Sequence, residues 1–153
     1  MARLSTKDIQ RRLKTAEQVC DRHGARFTEL RRQIFALILQ ADGPIGAYDL
    51  LDRLKEARKN AAPPTVYRAL DFLLAQGLIH RLERLNAFIA CPESGHHDHP
   101  VHFLICRECG SVGEIEDGSV EAALREVAAT RGFRPERTLI EVEGTCAACA
   151  HSG

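Results

Sequence analysis

Pro63-Pro64-Thr65-Val66-Tyr67-Arg68-Ala69-Leu70-Asp71-Phe72-Leu73-Leu74-Ala75-Gln76-Gly77-Leu78-Ile79-His80 is the stretch whose periodicity decides the fold. Val66, Leu70, Leu73 and Leu74 share one helical stripe. The proline pair opens the helix where the first N–H groups would have no partner anyway, and Gly77 stands just past its end. After Gly77 the period drops to two, with Leu78, His80 and Leu82 alternating with Ile79, Arg81 and Glu83. Arg84-Leu85-Asn86 can turn the chain into a second strand over residues 87–91. A helix that runs directly into a hairpin is the end of a winged helix-turn-helix, whose last helix enters the DNA major groove by its N-terminal turn. Thr65, Tyr67 and Arg68 occupy that turn off the apolar stripe. There an arginine can hold guanine bidentately and a tyrosine can pack on a thymine methyl or bond a phosphate. Tyr67 and Arg68 could equally be plain cover for a helix surface.

Three more helices precede this stretch. Ile9, Leu13, Ala16, Val19 and Cys20 recur at helical spacing up to Gly24. Thr28 can cap a second helix with Leu30, Ile34, Leu37 and Ile38 on one stripe, stopped by Gly43-Pro44. Ala47, Leu50, Leu51 and Leu54 mark a third, leaving Tyr48, Asp52 and Lys55 outside. Cys20 lies on the apolar face of the first helix and reads as core.

Charge and cysteine usage split the chain near Asn86. Residues 1–86 carry 16 Lys/Arg against 10 Asp/Glu, whereas residues 87–153 carry 5 against 11, although the whole balances at 21 against 21. Five of the six cysteines and five of the seven histidines fall in the acidic half. A basic amphipathic half suits a polyanion and a thiol-rich acidic half suits metal, although two solvated surfaces would show the same split. With 153 residues, 44% of them hydrophobic, the chain is expected to form one packed domain or two small ones rather than a disordered segment. No apolar run reaches the roughly 18 residues of a membrane span. The first residues lead straight into a charged helical pattern, so the expected location is the cytoplasm.

The acidic half holds two knuckles, Cys106-Arg107-Glu108-Cys109 and Cys146-Ala147-Ala148-Cys149, separated by 36 residues. Two residues between cysteines let both sulfurs of a tight turn reach one ion near 2.3 Å, and two such pairs close a tetrahedral four-thiolate zinc site. A redox or disulfide pair is the competing reading. It is disfavoured because cytosolic chains have little use for structural disulfides and neither knuckle reads as a helix N-terminus preceded by a buried strand. Between the knuckles, residues 111–115 read as a strand, Val120, Leu124 and Val127 as one helix face ended by Gly132, and residues 138–142 as a second strand.

His80, Cys91, His96, His97, His99, His102 and Glu114 form a second, less regular group. Two imidazoles, one thiolate and one carboxylate drawn from it would suit Zn²⁺, and the thiolate disfavours harder ions such as Mn²⁺. Taken singly, His80 also reads as a half-buried strand residue and Cys91 as a small core hydrophobe. A zinc hydrolase would need an open metal position beside a general base. Glu108 lies inside a closed knuckle and no H-E-x-x-H motif occurs, so no enzymatic activity and no small-molecule substrate are expected.

Ala47-Tyr48-Asp49-Leu50-Leu51-Asp52, the Pro63-to-His80 stretch and the paired knuckles together resemble the ferric uptake regulator family, most closely its zinc uptake regulator branch. The resemblance runs from the first helix to Cys149. It implies an α+β protein with a winged-helix DNA-binding domain over residues 1–86, a hinge over 87–92 and a small α/β dimerisation and metal-binding domain over 93–153. It further implies a homodimeric zinc-responsive repressor of operator DNA, with iron, manganese or peroxide sensing as the sister alternatives. Carried over residue by residue, Cys106, Cys109, Cys146 and Cys149 match the structural zinc site, and His80, Cys91, His99 and Glu114 match the regulatory one. That makes two Zn²⁺ per chain. Tyr48 and Arg68 match DNA-contacting positions, and Asp52 lies near where dimers meet side by side on DNA. His99 stands seven residues before Cys106, as in the zinc branch. The iron and peroxide sensors place histidines three and five residues before that cysteine, where this chain has Phe103 and Val101.

Overall fold

The computed structural model describes residues 3–92, 100–115, 117–136 and 138–151. The chain divides into two compact units, one running to His97 and the other from Asp98 onward.

The first unit contains α1 (Thr6–Arg22), α2 (Glu29–Gln40), α3 (Ala47–Ala57), α4 (Pro63–Ala75), β1 (Ile79–Leu82) and β2 (Ala87–Ala90). Ser5 caps α1 by accepting the Asp8 N–H at 3.2 Å, and Thr28 caps α2 by accepting that of Arg31 at 3.4 Å. The apolar stripes converge on one core, where Leu13, Val19, Ile34, Phe35, Leu50, Leu54, Val66, Leu70 and Leu73 are buried with Cys20. Gly77, at φ +66°, ends α4 in a left-handed turn that closes two backbone bonds, Gly77 N–H to Leu74 C=O and Leu78 N–H to Leu73 C=O. That turn swings the chain from helix into β1. β1 and β2 pair antiparallel with Ile79 opposite Ala90 and His80 opposite Ile89, joined through Asn86 at φ +45°. Ile45, ahead of α3, bonds both ways to Phe88 and ties the wing to the helices.

The second unit contains β3 (Val101–Cys106), β4 (Val112–Ile115), α5 (Gly118–Ala129), β5 (Leu139–Gly144) and the one-turn α6 (Ala147–Ala150). Its sheet has the order β4-β3-β5, antiparallel on one side and parallel on the other. The central strand β3 falls in a tract to which the sequence pattern assigns no element. It has no alternation to betray it, because apolar residues are buried on both of its faces, Phe103 and Ile105 on one and Cys106 on the other. Among the described residues of this unit, the buried apolar side chains are Phe103, Ile105, Cys106 and Val112. No residue of α5 is buried. On the face shared by Val120, Leu124 and Val127, Leu124 and Val127 are exposed in the single chain.

Candidate metal centre and nucleic-acid interface

The two knuckles meet because β3 and β5 run parallel in register, with Cys106 opposite Gly144. Past Cys106 the chain reverses in a tight turn: Gly110, at φ +70°, donates its N–H to the Cys106 carbonyl at 2.9 Å, and Cys106 donates to Ser111 at 2.9 Å. Arg107 N–H reaches the Gly144 carbonyl at 2.9 Å, which draws the second knuckle alongside. One sulfur each from Cys106, Cys109, Cys146 and Cys149 then lie within 4.8 Å of one another. Cys109 Sγ and Cys146 Sγ are 3.8 Å apart. A tetrahedron of thiolates at 2.3 Å from zinc has edges of about 3.8 Å, so the donor set and its spacing fit that ion.

Hydrogen bonds differentiate the four sulfurs. Donation by the Cys109 backbone, then by that of Cys146 at 3.3 Å, holds the Cys106 thiol down to about 6. Cys109 is lowered chiefly by its contact with the Ser111 hydroxyl at 3.2 Å. Cys149, whose proton is shared toward Cys146 and then Cys109, is pushed up to about 12. Cys146 is the N-cap of α6, preceded by β5. One knuckle therefore does stand at a helix N-terminus, as a redox turn would, although the strand before it, β5, has no buried residue. What speaks against that role is the close approach of two more thiols.

The expected regulatory residues fall in both units. His80 is half-buried on β1, Cys91 is fully buried just past β2, and Glu114 is half-buried on β4 opposite Phe103. His99, with His96 and His97, lies outside the described residues. Cys91 continues the hairpin register, donating its N–H to Leu78 at 2.9 Å. Residues opposite one another share a face, and so does the next-but-one residue, so His80 and Cys91 lie diagonally on the same face of the hairpin. The carbonyl of Cys91 accepts a hydrogen bond from the Arg12 guanidinium of α1. In the second unit His102 is 1% exposed, and neither ring nitrogen has a hydrogen-bond partner among the described residues. A buried imidazole in that state needs a ligand or a proton partner.

The expected DNA-contacting residues cluster on the first unit. α4 turns Val66, Ala69, Leu70 and Leu73 inward and leaves Tyr67 and Arg68 exposed on its first two turns, with Thr65 half-buried rather than fully outside. Tyr48, in the first turn of the neighbouring α3, is 69% exposed. Asp52, Arg53, Lys55, Arg58 and Lys59 are exposed on α3 and just after it. α4 is braced from behind, where the Arg31 guanidinium of α2 sits 3.7 Å from the centre of the Phe72 ring. No described helix is long and apolar enough to cross a membrane.

Comparison with known proteins agrees with this anatomy. The Zinc uptake regulation protein of Escherichia coli (strain K12) is 43% identical over 97% of this chain and 85% of its own length. The Ferric uptake regulation protein of the same strain is 33% identical over 81% and 83%. A solved structure of a zinc uptake regulator complexed with zinc and DNA matches with a TM-score of 0.87 at 41% identity, covering 97% of this chain and 98% of that one. The description of the ferric uptake regulator family fits residues 22–143, which span the wing, both strands flanking the first knuckle and most of β5. Helix order, hairpin and paired knuckles thus have a common origin, and the chain belongs to the ferric uptake regulator family.

Proposed function

We propose that the chain is a cytoplasmic zinc-responsive transcriptional repressor, without enzymatic activity, that binds operator DNA as a homodimer when a regulatory metal site is filled. The observation that carries the choice of metal is the hairpin register, which sets an imidazole and a buried thiol on one face. That pair suits Zn²⁺ and disfavours Mn²⁺. The higher identity to a zinc than to an iron uptake regulator supports the same choice over the iron, manganese and peroxide alternatives.

Each chain would hold two ions. Cys106, Cys109, Cys146 and Cys149 would bind the structural one, joining the end of β3 to the segment after β5. His80, Cys91, His99 and Glu114 would bind the regulatory one. Bound Zn²⁺ supplies strong, directed bonds that make one arrangement of its ligands far more favourable than the rest. With two ligands before residue 92 and two after residue 98, a filled site would couple the DNA-binding segment, residues 1–86, to the dimerisation segment, residues 93–153, through the join at 87–92. The exposed Leu124 and Val127 of α5, and the paired, exposed Leu104 and Val142 on one face of the sheet, give the second unit apolar surface suited to a second copy of itself. A two-fold dimer sets two recognition helices for half-sites one helical turn or a multiple apart. Tyr48, Thr65, Tyr67 and Arg68 would meet bases and phosphates, with neighbouring lysines and arginines adding the salt-sensitive term.

His102 favours a second reading of the loop ligand. Its two buried nitrogens, without a hydrogen-bond partner among the described residues, make it a contender for the place of His99. Operator retention across graded free Zn²⁺, with Fe²⁺ and Mn²⁺ in parallel and with His99→Ala and His102→Ala variants, tests all of this. Retention should rise with Zn²⁺ at lower free concentration than with Mn²⁺, and His99→Ala should lose the response. Retention independent of metal would refute the function, and loss in His102→Ala alone would move the ligand.

A further inference from the structure

We infer that Arg12 is a positioning residue of the metal sensor: its guanidinium, on the carbonyl of Cys91, fixes the backbone that presents the sensing thiol. The inference rests on the reading of Cys91 as a zinc ligand. Cys91 stands one residue beyond β2, where the ladder ends and its own N–H bond to Leu78 at 2.9 Å is the last rung. Beyond it Pro92 favours extended conformations at residue 91, which narrows the direction of its carbonyl to a range of about 40° in ψ. That direction is settled from α1. Arg12 comes from 79 residues upstream, is itself half-buried, and donates Nη2 to this carbonyl. With the N–H held by β1 and the carbonyl held by α1, both peptide planes flanking the Cys91 Cα are pinned, and with them the direction of its Cα–Cβ bond. α1 is a firm anchor, since Ile9, Leu13 and Ala16 on either side of Arg12 are buried in the core.

A donor that orients a ligand in this way acts as an outer-shell partner, and loss of such partners costs about 10–100-fold in metal affinity. Nothing in the spacing of Arg12 and Cys91 in the sequence points to the pair. Only the packing of α1 beside the end of the hairpin joins them.

The test uses the full-length dimer with its four-thiolate site filled and measures zinc binding at the second site by competition with a chromophoric chelator, in the absence of DNA. Arg12→Met keeps the apolar stem and removes the donors, Arg12→Lys keeps one, and Cys91→Ser reports the ligand itself. Arg12→Met should weaken second-site zinc binding about tenfold or more, and Arg12→Lys should recover part of the loss. A residue that only stabilised the fold would lower the melting temperature without that graded loss. Unaltered zinc affinity in Arg12→Met, beside weakened binding in Cys91→Ser, would overturn this inference alone. Unaltered affinity in Cys91→Ser would overturn the ligand reading beneath it. Should Arg12→Met fail to fold, Arg12→Leu, which also removes every donor, decides: affinity equal to that of the unsubstituted protein refutes the positioning role, and a several-fold loss upholds it.

Discussion

Replacing Cys106 by serine should unfold the second unit and leave the first intact. Among the described residues, that unit buries three large apolar side chains, Phe103, Ile105 and Val112, besides Cys106 itself. At about 1.5–3 kcal/mol each they contribute roughly 5–9 kcal/mol before any entropy is counted. A structural zinc site supplies about 10–16 kcal/mol, more than that whole core. Cys106 is also 5% exposed and takes the Cys146 N–H at 3.3 Å, so a serine there loses both the thiolate ligand and the contact that joins the knuckles. The first unit has its own core of Leu13, Ile34, Phe35, Leu50, Leu70 and Leu73 and depends on none of this. Cys106→Ser protein should therefore purify without the structural zinc, elute as a monomer or aggregate, and lose β signal in circular dichroism. Limited proteolysis should leave a resistant helical fragment ending near residue 97, where the chain divides. A dimeric Cys106→Ser protein with normal zinc content and an unaltered melting curve would refute the reasoning.

Arg68→Ala should cost about 1–3 kcal/mol of operator binding if the guanidinium reads a guanine, with no change in melting temperature, because position 68 lies outside the buried stripe of α4. Unchanged affinity in a filter-binding titration would make it surface cover. Leu73→Ala, at a fully buried site on the same helix, should cost about 2–5 kcal/mol of stability in denaturant melts and reduce operator binding only through unfolding. A loss below about 1 kcal/mol would contradict the packing. Zinc loading of the knuckles should strengthen with pH. Cys149, pushed up to about 12, must give up its proton to ligate, whereas Cys106, held near 6, is already ionised at neutrality. Apparent affinity should thus rise by about tenfold per pH unit for each proton released between about pH 7 and 8.5, and a flat profile would refute it.

The first unit was largely legible because each helix carries an apolar stripe with a start or stop signal of its own: Thr28 before α2, the proline pair before α4, Gly24 and Gly77 after α1 and α4. The knuckles were legible because thiolate spacing is a local signal. β3 was not. Val101-His102-Phe103-Leu104-Ile105-Cys106 is a central strand with apolar residues on both faces, so no alternation marks it. The stripe of α5 was read correctly as apolar, but whether such a face meets its own chain or another cannot be told from periodicity. The contact between Arg12 and Cys91 had no signal at all, since two residues 79 apart meet only after α1 and the hairpin have packed.

In the proposed repressor, zinc in a second site, and not merely zinc in the knuckles, switches DNA binding on. A switch from 1:99 to 99:1 in favour of the DNA-competent form requires zinc to prefer that form by about 5.5 kcal/mol, roughly 10⁴-fold. Linkage then requires operator DNA to tighten zinc by the same factor that zinc tightens operator. The most direct measurement is a thermodynamic cycle on protein with its knuckles already loaded: operator affinity at low and at saturating free Zn²⁺, and second-site zinc affinity with and without operator. Equal, large coupling factors are expected on both arms, with their collapse in Cys91→Ser. Operator affinity that is the same at both zinc levels, with the knuckles filled throughout, would contradict it.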